Sequence, residues 1–470
     1  MAQGHMLHTD FSGQGCVEQC YRMMDNACRQ LGILLPNTWT QQHRACDNSK
    51  LCQNILQDGH QAAHIFTDIR DRLPGAHRDT LQGMRPKMDS AGNPVCHVEA
   101  RRAYARMAKY LCVHAASCFG PDKKGRECLL HPHKQCPVSA PTQPSSPSAM
   151  PLRTVVAGTM CTPWFNFGKQ SGWSHPHTES HLIWAEDCKH GDYHLATLEN
   201  SEYFPLNTWR EKMSPECITV DICVCPSMLG WPCRRLRLYA TAINQKHLIW
   251  LGPAPGKALA EHFMSLFSRK VMVEGDVFVG IDSEVKRDSA RRAMATCRGI
   301  FGGEYRIQDT FSPDMKRRLS LHTASQTDST GLGGTCLVDL SQNPAKRQRS
   351  GPWFGAFAQS SKFASLTALP VDHRDYPYIF TPAEIAFVNG WPTISEVNGQ
   401  QLPFHSSLPS VFKNLTFHQH SSVVGNGMHL HTMAAWLLYV QSHCVRRELL
   451  DRWAPRAEAS LLSSMPAEEG

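Results

Sequence analysis

The feature that most constrains the fold is an alternation of short apolar runs with helical segments at the start of the chain. Residues 6–10 predict a strand that runs into the glycine-containing turn 11–15, and a helix follows over residues 17–31. Two further predicted strands, residues 38–47 and 62–68, each end on an aspartate. Strands that alternate with helices predict a parallel sheet covered on both faces, and a strand–glycine turn–helix unit is typical of nucleotide binding.

Residues 69–154 interrupt this alternation, because they are too many for an ordinary crossover connection. They include a basic helical segment and end in the Pro/Ser-rich stretch 137–151, which is typical of a linker. The alternation resumes with the strand 155–158 and with the strand 194–201. We therefore predict that residues 69–154 are an insertion into the sheet domain.

Composition limits the class of protein only loosely. The chain has 48 Lys plus Arg against 41 Asp plus Glu, so its net charge of +7 permits a polyanionic partner without demonstrating one. The 19 cysteines are dispersed, and the first residues show neither a basic nor an apolar signal region, which predicts free thiols in a reducing compartment. The apolar run 433–440 is too short to span a bilayer.

Residues able to carry chemistry follow the predicted strands one after another. In chain order they are Asp10, Phe11, Ser12, Gly13, Gln14, Gly15, Asp47, Asp68, Cys161, Glu199, Asn200, Arg235, Arg237, Gly425 and Asn426. In this order they resemble the DNA (cytosine-5) methyltransferases, a family that uses S-adenosyl-L-methionine. The resemblance covers most of the chain except residues 69–154, and it is fragmentary over residues 255–370.

The resemblance implies an α/β fold: a Rossmann-like methyltransferase sheet with a smaller target-recognition domain and a large insertion. The implied division is residues 1–68 as the cofactor-binding half of the catalytic domain, 69–154 as the insertion, 155–254 as the second part of the catalytic domain, 255–370 as the target-recognition domain, 371–450 as the C-terminal part of the catalytic domain, and 451–470 as a flexible tail.

The glycine turn and the two aspartates are the candidate cofactor site. Gly13 and Gly15 allow a tight turn and close approach to a ligand, although an ordinary strand-to-helix turn is the alternative. Asp47 is placed to accept from ribose hydroxyls, or else caps the next helix. By resemblance Asp68 contacts the adenine amino group, or else it is a solvated turn residue. The full predicted set is Phe11, Ser12, Gly13, Gly15, Asp47, Asp68 and Asn426.

By resemblance Cys161 is the nucleophile, which adds to cytosine C6 and makes C5 able to accept a methyl group. Its alternative is a buried structural thiol. Glu199 would bond cytosine N3, or else Glu199 and Asn200 form a helix cap at the end of the strand. Arg235 and Arg237, predicted on a strand, would hold the base and the catalytic loop, or else form a solvated basic face.

The chain departs from the family pattern in three places. The nucleophile motif Pro-Cys-Gln is replaced by Met-Cys-Thr at residues 160–162, Glu-Asn-Val by Glu-Asn-Ser at 199–201, and the glutamine of Gln-x-Arg-x-Arg by Cys233. A diverged but active enzyme is the first interpretation. A catalytically weak or inactive DNA-binding or scaffold homologue and an RNA cytosine-5 methyltransferase are the alternatives.

Duplex DNA with a flipped cytosine is the predicted partner, and base flipping costs a few kcal/mol that phosphate contacts must offset. Basic clusters at residues 286–292, 316–318 and 346–349 are candidates for these contacts, or else are solvated loop charge. The last also reads as a nuclear localisation signal, so the nucleus is predicted, and otherwise the cytoplasm.

The insertion is rich in potential zinc ligands, but their spacing does not give two compact Cys-x2-Cys pairs. They are Cys96, His97, Cys112, His114, Cys118, Cys128, His131, His133 and Cys136. A zinc site and incidental thiols in a flexible segment are the two interpretations, and no metal ligand is assigned from sequence.

Overall fold

The computed structural model describes most of the chain, and every structural statement below refers to these residues. They are 4–33, 40–59, 62–119, 125–138, 151–164, 171–281, 284–327, 335–342, 351–355, 361–393, 396–397, 400–401 and 415–449.

The strands, numbered in chain order, are mostly short. They are β1 His5–Asp10, β2 Thr40–Cys46, β3 His64–Phe66, β4 Arg126–Cys128, β5 His131–Cys136, β6 Leu152–Gly158, β7 Leu195–Asn200, β8 Cys217–Val224, β9 Arg237–Asn244, β10 Leu248–Trp250, β11 Leu337–Asp339, β12 Phe363–Ser365, β13 Tyr378–Ile379, β14 Glu396–Val397, β15 Gln400–Gln401 and β16 Cys444–Arg446.

The helices lie between and beyond these strands. They are α1 Cys16–Gln30, α2 Lys50–Gly59, α3 Gly75–Met84, α4 His97–Val113, α5 Ala115–Phe119, α6 Thr178–His190, α7 Leu206–Met213, α8 Lys257–Phe267, α9 Glu284–Thr296, α10 Pro313–Thr327, α11 Pro382–Val388, α12 Phe417–Asn426 and α13 Leu430–Ser442. Short 3-10 helices span Ile69–Arg72, Gly172–Ser174, Pro226–Met228, Gly275–Phe278 and Ile307–Thr310. None of the described helices is long and apolar enough to cross a bilayer.

A seven-stranded sheet forms the centre of the molecule, in the order β3-β2-β1-β6-β7-β9-β8. Strand β1 pairs in parallel with β2 and β6, whereas β9 is antiparallel to both of its neighbours. The fold-class prediction, an α/β Rossmann-like sheet, is therefore confirmed. Since the carboxyl ends of β1, β2, β3, β6 and β7 meet at one edge, the predicted site residues are brought to that edge.

Both faces of the sheet are buried. On one face α1 packs against α13, and the Cys20 thiol donates to the Leu430 carbonyl over 3.3 Å. Leu259 and Phe263 of α8 join the same apolar cluster. On the other face Tyr104 and Met107 of the insertion helix α4 pack with α6 and α7. The insertion therefore supplies part of the sheet's covering layer.

The smaller region has its own core. Strands β11, β12 and β13 form an antiparallel sheet, and Met294 of α9 and Leu319 of α10 pack with Val338 of β11. The domain boundaries given above stay predictions.

A buried ion network holds the sheet edge together. The Arg44 guanidinium contacts Asp10 at 3.1 Å and Asp187 at 2.7 Å, and the Arg72 guanidinium contacts the same two carboxylates at 3.2 and 3.0 Å. The network joins β1, β2, α6 and the 3-10 helix after β3. Asp10, the last residue before the glycine turn, is thus paired with two arginines.

Candidate active site at the carboxyl edge of the sheet

The glycine turn after β1 adopts left-handed backbone at three positions, with φ of 52° at Phe11, 57° at Gly13 and 84° at Gly15. A Cβ on Gly13 would meet nothing within 4 Å, so conformation rather than crowding requires glycine, and space is open beside the turn. The Ser12 side chain lies inward and bonds Thr9 Oγ1 at 2.9 Å and the Cys46 carbonyl at 3.2 Å. Ser12 therefore ties β1 to β2.

Asp47 lies directly after β2 and reaches the glycine turn. Its Oδ2 accepts from the Gly13 N–H at 2.8 Å, and its Oδ1 accepts from the Ser49 N–H at 2.8 Å before α2. Burial raises the pKa of the Asp47 carboxyl, against these hydrogen bonds. Asp47 thus organises both the glycine turn and the segment that leads into α2.

Asp68 follows β3 and is held by a neighbour. Its carboxylate accepts from the Arg70 backbone N–H at 2.8 Å and from the Arg70 guanidinium at 2.6 Å. Although burial opposes it, these bonds lower the pKa of the Asp68 carboxyl. Its negative charge also acts on Asp47, so the two acids lie at the same part of the sheet edge.

Cys161 is half-buried and lies three residues beyond the end of β6. Its carbonyl accepts from the Trp164 N–H at 3.0 Å, which closes a turn. Its neighbours Met160 and Pro163, but not Cys161 itself, line a small cavity together with Phe11 of the glycine turn. The residues on either side of Cys161 and the glycine turn are therefore neighbours around one cavity.

The end of β7 is tied to the end of β6. The Asn200 side-chain amide donates to the Thr159 carbonyl at 3.1 Å and to Thr159 Oγ1 at 2.8 Å. Glu199 is opposite Gly158 in the sheet. The amide thus fixes Glu199 beside the strand that leads to Cys161.

Two buried arginines complete the group. Arg237 Nε lies 3.3 Å from Glu199 Oε1, and the Arg235 guanidinium donates to the Gly427 carbonyl at 2.8 Å. Burial and the nearby Arg237 charge lower the pKa of Arg235, while Glu199 and Cys161 act in the opposite direction. Arg235 is therefore within electrostatic range of both Cys161 and Glu199.

The structure corrects the placement of Arg235. It precedes β9, which begins at Arg237, because residues 233–234 bond to the smaller region instead of the sheet. The Arg234 N–H donates to the Phe354 carbonyl at 2.7 Å, and Cys233 forms an isolated parallel β-bridge with Phe354.

The connection between α12 and α13 packs against the carboxyl edge of the sheet. A Cβ on Gly158 would lie 2.5 Å from Met428 Cε, and one on Gly427 would lie 2.7 Å from Gln14 Nε2. Gly425 and Asn426 are the last residues of α12 rather than a turn. The Asn426 side chain lies outside the described residues, so its cofactor role stays a prediction.

Several arginines of the basic clusters are already bound to other residues of the chain. Arg291 bonds Asp375 at 2.6 Å and Asp288 at 2.9 Å, and Arg318 donates to the Leu340 carbonyl at 3.2 Å. Arg292 pairs with Asp288 but keeps most of its side chain exposed. Residues 346–349 lie outside the described residues.

No protein-family model matches the chain, and no curated protein matches it in sequence. Solved structures do match. A mutant DNMT2 of Spodoptera frugiperda is 12% identical with a TM-score of 0.41, and the match covers 93% of this chain and 99% of that chain. The methyltransferase EhMeth of Entamoeba histolytica is 12% identical (TM-score 0.43, 93% and 98% covered), and the Dnmt2 methyltransferase of S. pombe is 10% identical (TM-score 0.45, 93% and 99% covered).

The chain is similar in fold to these methyltransferases. Since the identities and TM-scores are low, the likeness says nothing of the reaction or its substrate, and we take the function from the residues of this chain.

Proposed function

We propose that the protein transfers a methyl group from S-adenosyl-L-methionine to C5 of cytosine in DNA, through a covalent adduct between Cys161 and C6. The observation that carries the proposal is the grouping of Cys161, Glu199, Arg235 and Arg237 at adjoining strand ends, beside the glycine turn.

The residues at the edge of the sheet fit a nucleoside cofactor. The turn at Gly13 leaves open space that a side chain would fill, and Asp47 and Asp68 end neighbouring strands beside it. Acidic residues at such positions accept hydrogen bonds from ribose and base donors. When bound, the cofactor supplies an electrophilic methyl group.

Cys161 provides the nucleophile. Its thiolate adds to C6 of the target cytosine, forming an S–C6 bond while the electrons of the C5=C6 bond move toward C5. The buried Arg235 interacts electrostatically with Cys161 and so places a positive charge near the sulfur. After C5 has taken the methyl group, loss of its proton and departure of the sulfur from C6 restore the aromatic ring.

Glu199 and Arg237 act at N3, on the side of the cytosine ring opposite C6. We assign Glu199 to hydrogen-bond cytosine N3 and to hold the proton there as negative charge develops during addition. Arg237, 3.3 Å from Glu199, positions that carboxyl. Asn200 keeps both in register with the Cys161 segment through Thr159.

Duplex DNA requires that the cytosine leave the stack before Cys161 can reach it. We propose that exposed basic residues of the smaller region, Arg292 among them, contribute phosphate contacts that offset the cost of base flipping. From the DNA substrate and the basic residues 346–349 we also propose that the protein is located in the nucleus.

The deciding experiment uses a DNA duplex that contains 5-fluorocytosine, together with the cofactor. Because the fluorine cannot leave as a proton does, an active enzyme stays attached, and peptide mapping should find the adduct on Cys161. Cys161→Ser should form no adduct and transfer no methyl group to ordinary DNA, whereas Cys297→Ser at an exposed cysteine should behave as wild type.

The same trapping assay, run on DNA and on folded RNA that each contain 5-fluorocytosine, separates the alternatives. An adduct on folded RNA but not on DNA would make the protein an RNA methyltransferase. Cofactor binding with no adduct on either substrate would favour the non-catalytic homologue. Methyl transfer that survives Cys161→Ser would contradict the mechanism.

A further inference from the structure

Four potential metal ligands meet where a hairpin of the insertion touches the edge of the sheet. They are His64 of β3, Cys128 at the end of β4, His131 at the start of β5 and Cys136 at its end. One donor atom from each lies within 4.8 Å of the other three. His131 Nδ1 is 3.4 Å from Cys136 Sγ and 3.6 Å from Cys128 Sγ.

The two distances from His131 are those of a tetrahedral site. With Zn–S bonds of about 2.3 Å and Zn–N bonds of about 2.1 Å, ligand atoms around one zinc ion lie about 3.4–3.8 Å apart. Two thiols and two imidazoles are also the donor set that favours zinc over Mg²⁺ or Ca²⁺, which prefer oxygen. We infer that His64, Cys128, His131 and Cys136 bind one structural zinc ion.

The surroundings of Cys128 suit a metal-bound thiolate. The backbone N–H groups of Ile65 and Leu130 each donate to its sulfur over 3.4 Å, one from the sheet and one from the hairpin turn. Such outer contacts orient and stabilise metal ligands.

The site is enclosed by protein. Both cysteines are buried and both histidines are half-buried. Four protein ligands leave no position for water or substrate, which is typical of structural rather than catalytic zinc. Within the described parts of the chain, no other group of three or more His, Cys, Asp or Glu is arranged in this way.

Two of the other potential ligands of the insertion contact residues outside this group. His97 Nδ1 is 2.8 Å from Ser174 Oγ, and the His114 ring packs at a tilt against the Tyr110 ring. The fourth ligand instead comes from outside the insertion, which explains why the spacing within residues 96–136 looked incomplete.

A metal here would join the insertion to the outermost strand of the sheet. The Leu129 N–H already donates to the Ile65 carbonyl at 2.9 Å, but β3 has only three residues and β2 as its one strand neighbour in the sheet. Cross-linking β3 to the hairpin would cover this edge. The inference goes beyond methyl transfer and does not depend on it.

Metal content and cobalt spectra test the site in the full-length chain. Protein purified without chelators should contain one equivalent of zinc, and cobalt substitution should give the absorption of a tetrahedral site with thiolate charge-transfer bands. Cys128→Ser and His64→Gln should each lose the metal or this spectrum. Cys112→Ser and His133→Asn, at exposed positions of the same insertion, should retain both.

Alkylation of the wild-type protein avoids any folding defect of the variants. With zinc present, Cys128 and Cys136 should resist alkylation, and both should react after chelation, whereas Cys112 should react in either state. A zinc-free protein whose Cys128 and Cys136 react as fast as Cys112, or a peptide map that shows a Cys128–Cys136 disulfide, would overturn the inference. Zinc that persists in both ligand variants would do so as well.

Discussion

At the scale of single residues, the two aspartates at the sheet edge differ in what already holds them. Asp47 accepts from the backbone of the glycine turn, so its removal changes the shape of the turn as well as its charge. Asp68 is neutralised by Arg70, which would have to release part of the carboxylate before a ligand could use it. Sequence spacing placed both acids correctly, but it carried no information about these partners.

We therefore expect Asp47→Ala to weaken cofactor binding more than Asp68→Ala does. Hydrogen bonds to a charged group contribute about 1.5–3 kcal/mol, so Asp47→Ala should raise the Kd of the cofactor by about tenfold to a hundredfold. Isothermal titration calorimetry measures this directly, with Asp25→Ala, at a partly exposed position on α1, as a control. Equal affinity for wild type and Asp47→Ala would remove Asp47 from the cofactor site.

Glu199→Gln should separate chemistry from binding. The amide keeps the shape of the side chain but cannot hold a proton for N3, so kcat should fall by about a hundredfold or more. Cofactor affinity should stay within about twofold of wild type, while Glu202→Gln, at an exposed position nearby, should leave both unchanged. A Glu199→Gln variant with normal kcat would show that Glu199 has no part in the reaction.

At the scale of elements, the alternating pattern predicted the strands and helices of the sheet well, because burial on both faces leaves apolar runs of the right length. It misplaced the start of β9, since the preceding residues pair with a strand-like segment more than a hundred positions away. It also missed His64 as a metal-site candidate, because that residue lies on the sheet and outside the cysteine-rich segment. Long-range partners of this kind leave no local signal.

Removing one member of the Arg44–Arg72–Asp10–Asp187 network should strongly destabilise the sheet edge, because it leaves buried charge uncompensated. Asp187→Asn leaves two buried guanidiniums with a single carboxylate, so we expect a loss of about 3–5 kcal/mol in the free energy of unfolding. Urea denaturation followed by circular dichroism measures it. The matched change at a partly exposed pair, Asp221→Asn beside Arg210, should cost no more than about 1 kcal/mol. Equal losses would mean that the buried network has no special role.

At the scale of the whole molecule, the fold buries several histidines in their neutral form. Burial lowers the pKa of His5, His181 and His194 to about 3, well below the unfolded value of about 6.5. Each therefore contributes stability that is complete above pH 6.5 and is lost as the pH falls toward 3, because the unfolded chain binds the proton first.

We accordingly expect the free energy of unfolding to fall steeply with acidification below pH 6.5. Each proton taken up adds about 1.4 kcal/mol per pH unit to the slope. The His181 ring lies among Trp173, Trp184 and Phe204. His181→Phe should therefore reduce the slope by up to about 1.4 kcal/mol per pH unit, whereas His114→Gln at the surface should leave the slope unchanged. Urea titrations at several pH values between 4 and 7 provide the measurement. A slope unaffected by His181→Phe would contradict the assignment.

The packing of α1 against α13 has a consequence for how the chain is made. The apolar side of α1, including Tyr21 and Met24, gains its partner only when residues 430–442 have left the ribosome. Until then the nascent polypeptide exposes the apolar side of a helix that was synthesised much earlier, so we expect chaperones to bind it during translation. This face of the sheet is completed only after α13 docks.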